Sequence, residues 1–275
     1  MPLQFNVNYV NNFPQNGVPA FQRALYTWSG ALNSNVAIDL TAIWDAVLPP
    51  NFTAICIPNG IENFHGAPAN NTWYVSALAD RLTNQDLQQN DEDFTIFFAQ
   101  GLNWNFGQGN PQQNEFDLES ITLHEIGHGL GFLSLFWATG WPWVGSYGDD
   151  AILAAAQQLI NNTGQGQHLG FQLPNSLNSH PSVYGLHIRD SQQRYLTDPN
   201  IFPNPSNALG NELVGGNLNF DVNNQPIYAP MPFEPFSSID HLNVNNSLMR
   251  PSIAAGQQVR VIDQPVLQVM NALGW

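Results

Sequence analysis

Between Ile121 and Ser134 the chain reads ITLHEIGHGLGFLS, and three of its residues have the types and spacing that hydrolytic metal chemistry needs. His124 and His128 stand four apart, so a helix brings both imidazoles to one face, a turn apart, where they can share one metal ion. Glu125 lies about 100° round the helix from His124, off the metal axis yet near enough to touch a metal-bound water. Two neutral nitrogen ligands, and a carboxylate that takes a proton from that water, are the parts of zinc-assisted hydrolysis. With seven His in 275 residues, chance produces such a His-Glu-x-x-His pattern on the order of once in two hundred chains. Gly127, Gly129 and Gly131 strengthen the reading. An interior glycine costs a helix roughly 1 kcal/mol relative to alanine, so a helix built for stability alone would not carry them. Gly131 is expected to end the helix and turn the chain sharply beneath the metal.

Two histidines on one helix do not complete a zinc site, and Ser134 stands where a third could follow on the motif. HEIGHGLGF resembles the active-site helix of the metzincin clan of zinc endopeptidases, which reads HExxHxxGxxH and is followed downstream by a Met-turn, a tight loop whose methionine lies under the metal. Near the C-terminus stands SSIDHLNVNNSLMRPS. Its SLMRP resembles the Met-turn, especially the LMxP form of the matrixins, and points to Met249. In leishmanolysin-like metzincins the third histidine is displaced from the helix and lies shortly before the Met-turn. His241 holds that place here.

The resemblance implies a zinc endopeptidase with His124, His128 and His241 as ligands, Glu125 as general base and Met249 as a structural floor. Its substrate would be a protein or peptide, held extended by main-chain pairing along the strand near 94–104. The enzyme is expected to be secreted and monomeric. The chain departs from the leishmanolysin group in having one cysteine, Cys56, and hence no disulfide framework. Arg250 and Pro251 stand where some metzincins carry a tyrosine just after the Met-turn, which leaves the partner of zinc at the oxyanion unassigned. A binding protein or adhesin on the same scaffold, with structural zinc, is the alternative; an intact Glu125 speaks against it, because a structural site needs no base. Asp149, in SYGDD, resembles the aspartate ligand of the aspzincins and is a rival third ligand. Asp149 and Asp150 also read as a helix N-terminal pair that could take calcium. His187 reads as a strand histidine, and His65, His168 and His180 as solvent-facing.

The elements that must position these groups are legible in part. Leu3, Phe5, Val7 and Tyr9 alternate as in a half-buried strand. Pro19 opens a helix that carries Val18, Phe21, Leu25, Trp28 and Leu32 on one face. NVAIDLTAIW, FTAICIP and DFTIFFAQGLNW read as strands, and VSALADRLT as a short helix. Asp117 is the expected N-cap of the motif helix, which turns Leu123, Ile126 and Leu130 toward the core. GDDAILAAAQQLINN is a further helix. The chain closes with DQPVLQVMNALGW, with Asp263 as N-cap, Pro265 in the first turn and Gly274 as the stop. The expected fold is α+β and metzincin-like, with a twisted mixed sheet backed by helices. Residues 1–275 form one catalytic domain, with an N-terminal subdomain over 1–131 and a loop-rich C-terminal subdomain over 132–275.

Composition bounds the partners. Hydrophobic residues are 43% and charged residues only 10%, so the chain is globular and its solubility rests on Asn, Gln, Ser and Thr. A formal charge of -15 argues against nucleic acid and anionic membranes. The six basic residues are all arginine. No apolar run is long enough to span a bilayer, and MPLQFNVNYV lacks the basic and apolar regions of a signal peptide. Cys56, between apolar neighbours, reads as a plain buried thiol.

Overall fold

Apolar stretches in the first hundred residues build the main sheet, and the motif helix is laid against it. The computed structural model describes residues 1–89, 91–139, 144–162, 173–198, 218–230 and 232–275. From the N-terminus run β1 (Phe5–Val10), α1 (Val18–Ala31), β2 (Ile38–Ala46), β3 (Ala54–Pro58), β4 (Gly60–Glu62), β5 (Trp73–Val75), α2 (Ser76–Thr83) and β6 (Phe94–Ala99). Next come β7 (Trp104–Asn105), β8 (Phe116–Asp117), α3 (Leu118–Gly129), β9 (Phe136–Thr139), β10 (Val144–Tyr147) and α4 (Asp150–Asn162). A 3₁₀ turn at Tyr184–His187 leads to β11 (Ile188–Arg189), β12 (Asn219–Phe220), β13 (Gln225–Pro226) and α5 (Gln264–Leu273).

The main sheet has the order β1-β2-β6-β3. Strands β1, β2 and β6 run parallel, and β3 lies antiparallel to β6 at one edge. All six residues of β6 are buried, as a central strand covered on both faces requires. On one face α1 and α3 pack together: the Trp28 indole donates to the Leu123 carbonyl at 2.9 Å, and Arg23 pairs with Glu119 at 2.6 Å. On the other face Ile43, Ile55, Ile57 and Phe97 form a smaller core with Ile160 of α4. The architecture is thus mixed α+β around a mixed sheet.

The strand expected to pair with substrate is corrected here. β6 ends at Ala99, and its backbone is used on both sides by β2 and β3, so it has no free edge to offer. The edge strand on that side is β3, which pairs with β6 alone among the described residues.

Local signals acted largely as their chemistry dictates. Asp117 caps α3 by accepting from the Ser120 amide at 3.1 Å, and Gly131 ends the helical run at φ +117. Yet α3 shows no amphipathic stripe, because all twelve of its residues are buried. Asp263 occupies the N-cap position of α5 without capping it. Its carboxylate accepts instead from the Leu248 amide at 2.6 Å and the Ser247 hydroxyl at 3.1 Å. His187 closes a 3₁₀ turn and does not sit in a strand.

Candidate metal centre

The rings of His124, His128 and His241 converge in a buried pocket between α3 and the segment that follows β13. Their Nε2 atoms form a nearly equilateral triangle: 3.2 Å between His124 and His241, 3.2 Å between His128 and His124, and 3.3 Å between His128 and His241. Each opposite nitrogen is held by a main-chain carbonyl. His124 Nδ1 meets Leu248 O at 2.7 Å, His128 Nδ1 meets Phe132 O at 2.7 Å, and His241 Nδ1 meets Ser237 O at 2.8 Å. A carbonyl only accepts, so every Nδ1 carries the proton and every Nε2 turns a lone pair to the common centre. Burial lowers all three pKa values: His124 to about 4, His128 to about 3, and His241 well below the ordinary range. The rings are therefore neutral, as metal ligands must be.

The triangle has the size a tetrahedral ion requires. Nitrogens bound about 2.0–2.1 Å from zinc at the tetrahedral angle stand about 3.3 Å apart, which the three separations match. Converging lone pairs with no cation between them would repel, so the donor set fits a divalent metal. His124, His128 and His241 form the one such cluster of His, Cys, Asp or Glu among the described residues.

The turn at 247–250 supports the site from beneath. A Cβ built on Gly127, between the two helical ligands, would lie 2.5 Å from Met249 Sδ; bare glycine is what lets the methionine lie against the helix. Met249 is fully buried, and its carbonyl accepts from Leu242, next to His241, at 2.8 Å. Gly129 likewise leaves room for the Phe94 ring, 2.6 Å from a built Cβ. Two of the glycines that weaken α3 as a helix are thus close approaches.

Glu125 lies outside the ligand cluster but lines the same cavity as the three histidines. Burial raises its carboxyl to about 8, with the Cys56 backbone amide acting in the opposite direction. A cation at the histidines acts against that rise as well. Cys56, on β3, is half-buried and not the fully buried thiol expected; desolvation, followed by the Glu125 charge, holds it as a thiol. The cavity measures about 960 Å³ and is walled largely by apolar side chains, among them Phe52, Ile55, Ile57, Leu153, Leu177 and Phe233.

The other candidates lie elsewhere. Asp149 Oδ1 accepts from the Ala151 amide at 2.9 Å at the start of α4. Asp150 accepts from the Leu177 amide at 2.7 Å and the Ser176 hydroxyl at 3.1 Å, so that pair serves protein donors and belongs to no metal cluster among the described residues. His187 pairs with Asp221 at 3.1 Å and stacks on Phe220. His180 does not face solvent freely; it pairs with Glu62 at 2.5 Å. His65 is exposed, and His168 falls outside the described residues.

Sequence reasoning missed several neighbours of His241. Tyr228, Phe233, Glu234 and Phe236 line the same cavity, and the Tyr228 amide donates to His241 O at 2.8 Å. Their local signal is weak, since they sit in turns whose partners are distant in the chain. Ile239 adopts φ +71 while fully buried. A β-branched residue there is a strained outlier, and such strain clusters at functional sites. Compared with known proteins, the chain matches no family model, no curated protein and no solved structure.

Proposed function

We propose that the chain is a zinc-dependent endopeptidase of the metzincin kind, acting on extended protein or peptide substrates outside the cell. The observation that carries the reading is the convergence of three neutral imidazoles into a zinc-sized tripod whose cavity also contains Glu125. His124, His128 and His241 would hold zinc there, and the ion would supply a water of lowered pKa and Lewis acidity toward the scissile carbonyl. Glu125 receives the proton from the attacking water and passes it to the leaving amine. The three histidines stay neutral and fixed by their carbonyl partners throughout. Edge strand β3 offers main-chain pairing to an extended segment, and the apolar walls of the cavity favour a large apolar side chain near the scissile bond. A structural zinc takes four protein ligands, and this cluster has three among the described residues.

Glu125→Gln separates catalysis from binding, because it removes the base and leaves every ligand. The expected outcome is full zinc content with hydrolysis of a peptide library reduced by at least about a hundredfold; a chelator should abolish cleavage by the parent. Unchanged turnover in Glu125→Gln would sink the mechanism, and a parent inert toward every peptide would sink the reading.

A further inference from the structure

Ser134 occupies the position at which a helix-borne third histidine would stand, and its backbone does other work. Its amide donates to Asp240 Oδ1 at 2.6 Å. Asp240 is buried and directly precedes His241. A backbone carbonyl, and not Asp240, orients the neighbouring imidazole: His241 Nδ1 is engaged by Ser237 O at 2.8 Å. The carboxylate reaches away from the ring, to the chain leaving the motif helix.

That chain is held over three consecutive residues. Phe132 O receives His128 Nδ1 at 2.7 Å. Leu133 O accepts from the Ser182 hydroxyl, whose oxygen in turn accepts from the Gly185 amide at 3.0 Å. Ser134 N takes Asp240. Gly185 must be bare for this: a Cβ there would stand 3.0 Å from Ser134 O and 2.8 Å from the Tyr147 ring. The segment 132–134 is therefore anchored at its middle and touches a ligand, or a ligand's neighbour, at either end.

We propose that Ser134 and Asp240 form a lock that sets the position of the displaced ligand. With His241 more than a hundred residues from His128 in the chain, nothing local fixes its distance from α3. Beside the Leu242 amide held by Met249 O, a buried carboxylate seated on the Ser134 amide supplies that constraint, and the same short segment orients His128 through Phe132. Asp240 is thus a positioning residue for the metal tripod. The proposal rests on the metal site and not on the reaction assigned to it.

Metal affinity and ligand geometry test it without any peptide. Each protein, stripped of metal, competes for Zn²⁺ and for Co²⁺ against a chelator of known affinity, and the visible spectrum of the Co²⁺ form reports the ligand arrangement. Asp240→Glu keeps the charge but moves the acceptor oxygen by one methylene. It should bind both ions about tenfold to a hundredfold more weakly, the usual size of such supporting contacts, with a shifted cobalt spectrum. Asp240→Asn loses the charge but keeps an acceptor oxygen facing the Ser134 amide; it should restore the parent spectrum and most of the affinity. A merely structural role would lower melting temperature without this ordering. Parent-like affinity and spectrum in Asp240→Glu overturn the lock, and so does Asp240→Asn binding as weakly as Asp240→Glu. A parent that binds neither ion overturns it together with the metal site, whereas a parent that binds metal without cleaving peptides leaves the lock standing and removes only the peptidase reading.

Discussion

Each histidine of the tripod has one nitrogen committed to a main-chain carbonyl, and that commitment turns the other nitrogen of each ring to one common centre. The carbonyls belong to Leu248, Phe132 and Ser237, two of them in the distal part of the chain. Leu248 is itself held by Asp263, which makes an apparent helix cap a support for the ring of His124. On the proposed reading His241 is one of three ligands, so His241→Ala should leave a two-nitrogen site. Retained zinc after dialysis should fall to a small fraction of the parent's, with hydrolysis lost. Asp149→Asn and His187→Ala, outside the cluster, should keep a full equivalent. Elemental analysis of the dialysed proteins decides it. Full zinc in His241→Ala with loss in Asp149→Asn would move the third ligand to the acidic pair at α4.

At the scale of elements, α3 trades helical stability for contact. Gly127 admits Met249 and Gly129 admits Phe94, so both helix faces press closer to their neighbours than a Cβ allows. On propensity alone Gly127→Ala stabilises a helix by roughly 1 kcal/mol. Overpacking against a buried neighbour costs typically about 1–3 kcal/mol, and with a 2.5 Å approach to Met249 the clash wins. Gly127→Ala should therefore lower stability in denaturant melts of the metal-free protein. Adding Met249→Ala should cost less in the Gly127→Ala background than in the parent. Strict additivity of the two changes would show that the contact is not what Gly127 serves. The same scale explains β3: it lies antiparallel at the sheet edge beside the cavity, and among the described residues only β6 pairs with it.

Across the whole molecule, a strongly acidic chain has carboxylates whose environments push them in opposite directions. Burial raises Asp93 to about 8 against the opposing Asp39 amide, and the charges of Asp80, Asp39 and Asp86 add to the rise. Asp80 is raised to about 6, again chiefly by burial. Asp117 is pushed up by burial, but hydrogen bonds from Arg260 and Ser120 prevail and hold it below the ordinary range. A carboxyl with a raised folded pKa favours the folded state when protonated. Asp93 and Asp80 thus contribute stability that is full below about pH 4 and lost as pH rises through their folded values. Asp117 contributes above about pH 4 and loses its effect as the pH falls. Below about pH 6.5 the three buried histidines, whose folded pKa values are lowered, act in the opposite sense. Melting temperature of the metal-free protein should therefore decline from about pH 7 to about pH 9, and Asp93→Asn should flatten that decline by removing the proton that must be lost. An identical slope in the two proteins would clear Asp93 of the effect.

What the sequence determined by itself is what short range determines. The pair His124 and His128 with Glu125, the Asp117 cap, the Gly131 stop, the α1 face through Trp28 and the apolar strands depend on periodicity and backbone preference, and all are read within a few residues. His241 and Met249 were legible only through resemblance to a known pattern, since nothing adjacent to them states what they face. Tertiary structure decided the rest. It placed β3 and not β6 at the sheet edge, because strand order follows from packing and from which backbone groups find partners. It buried α3 on every side, so that Leu123, Ile126 and Leu130, expected toward the core, are joined there by every other residue of the helix. It diverted the Asp263 carboxylate from its helix to the buried Leu248 amide and seated the Asp240 carboxylate on the buried Ser134 amide. A buried donor left unpaired costs more than a cap contributes, and which donors become buried is known only once distant segments meet.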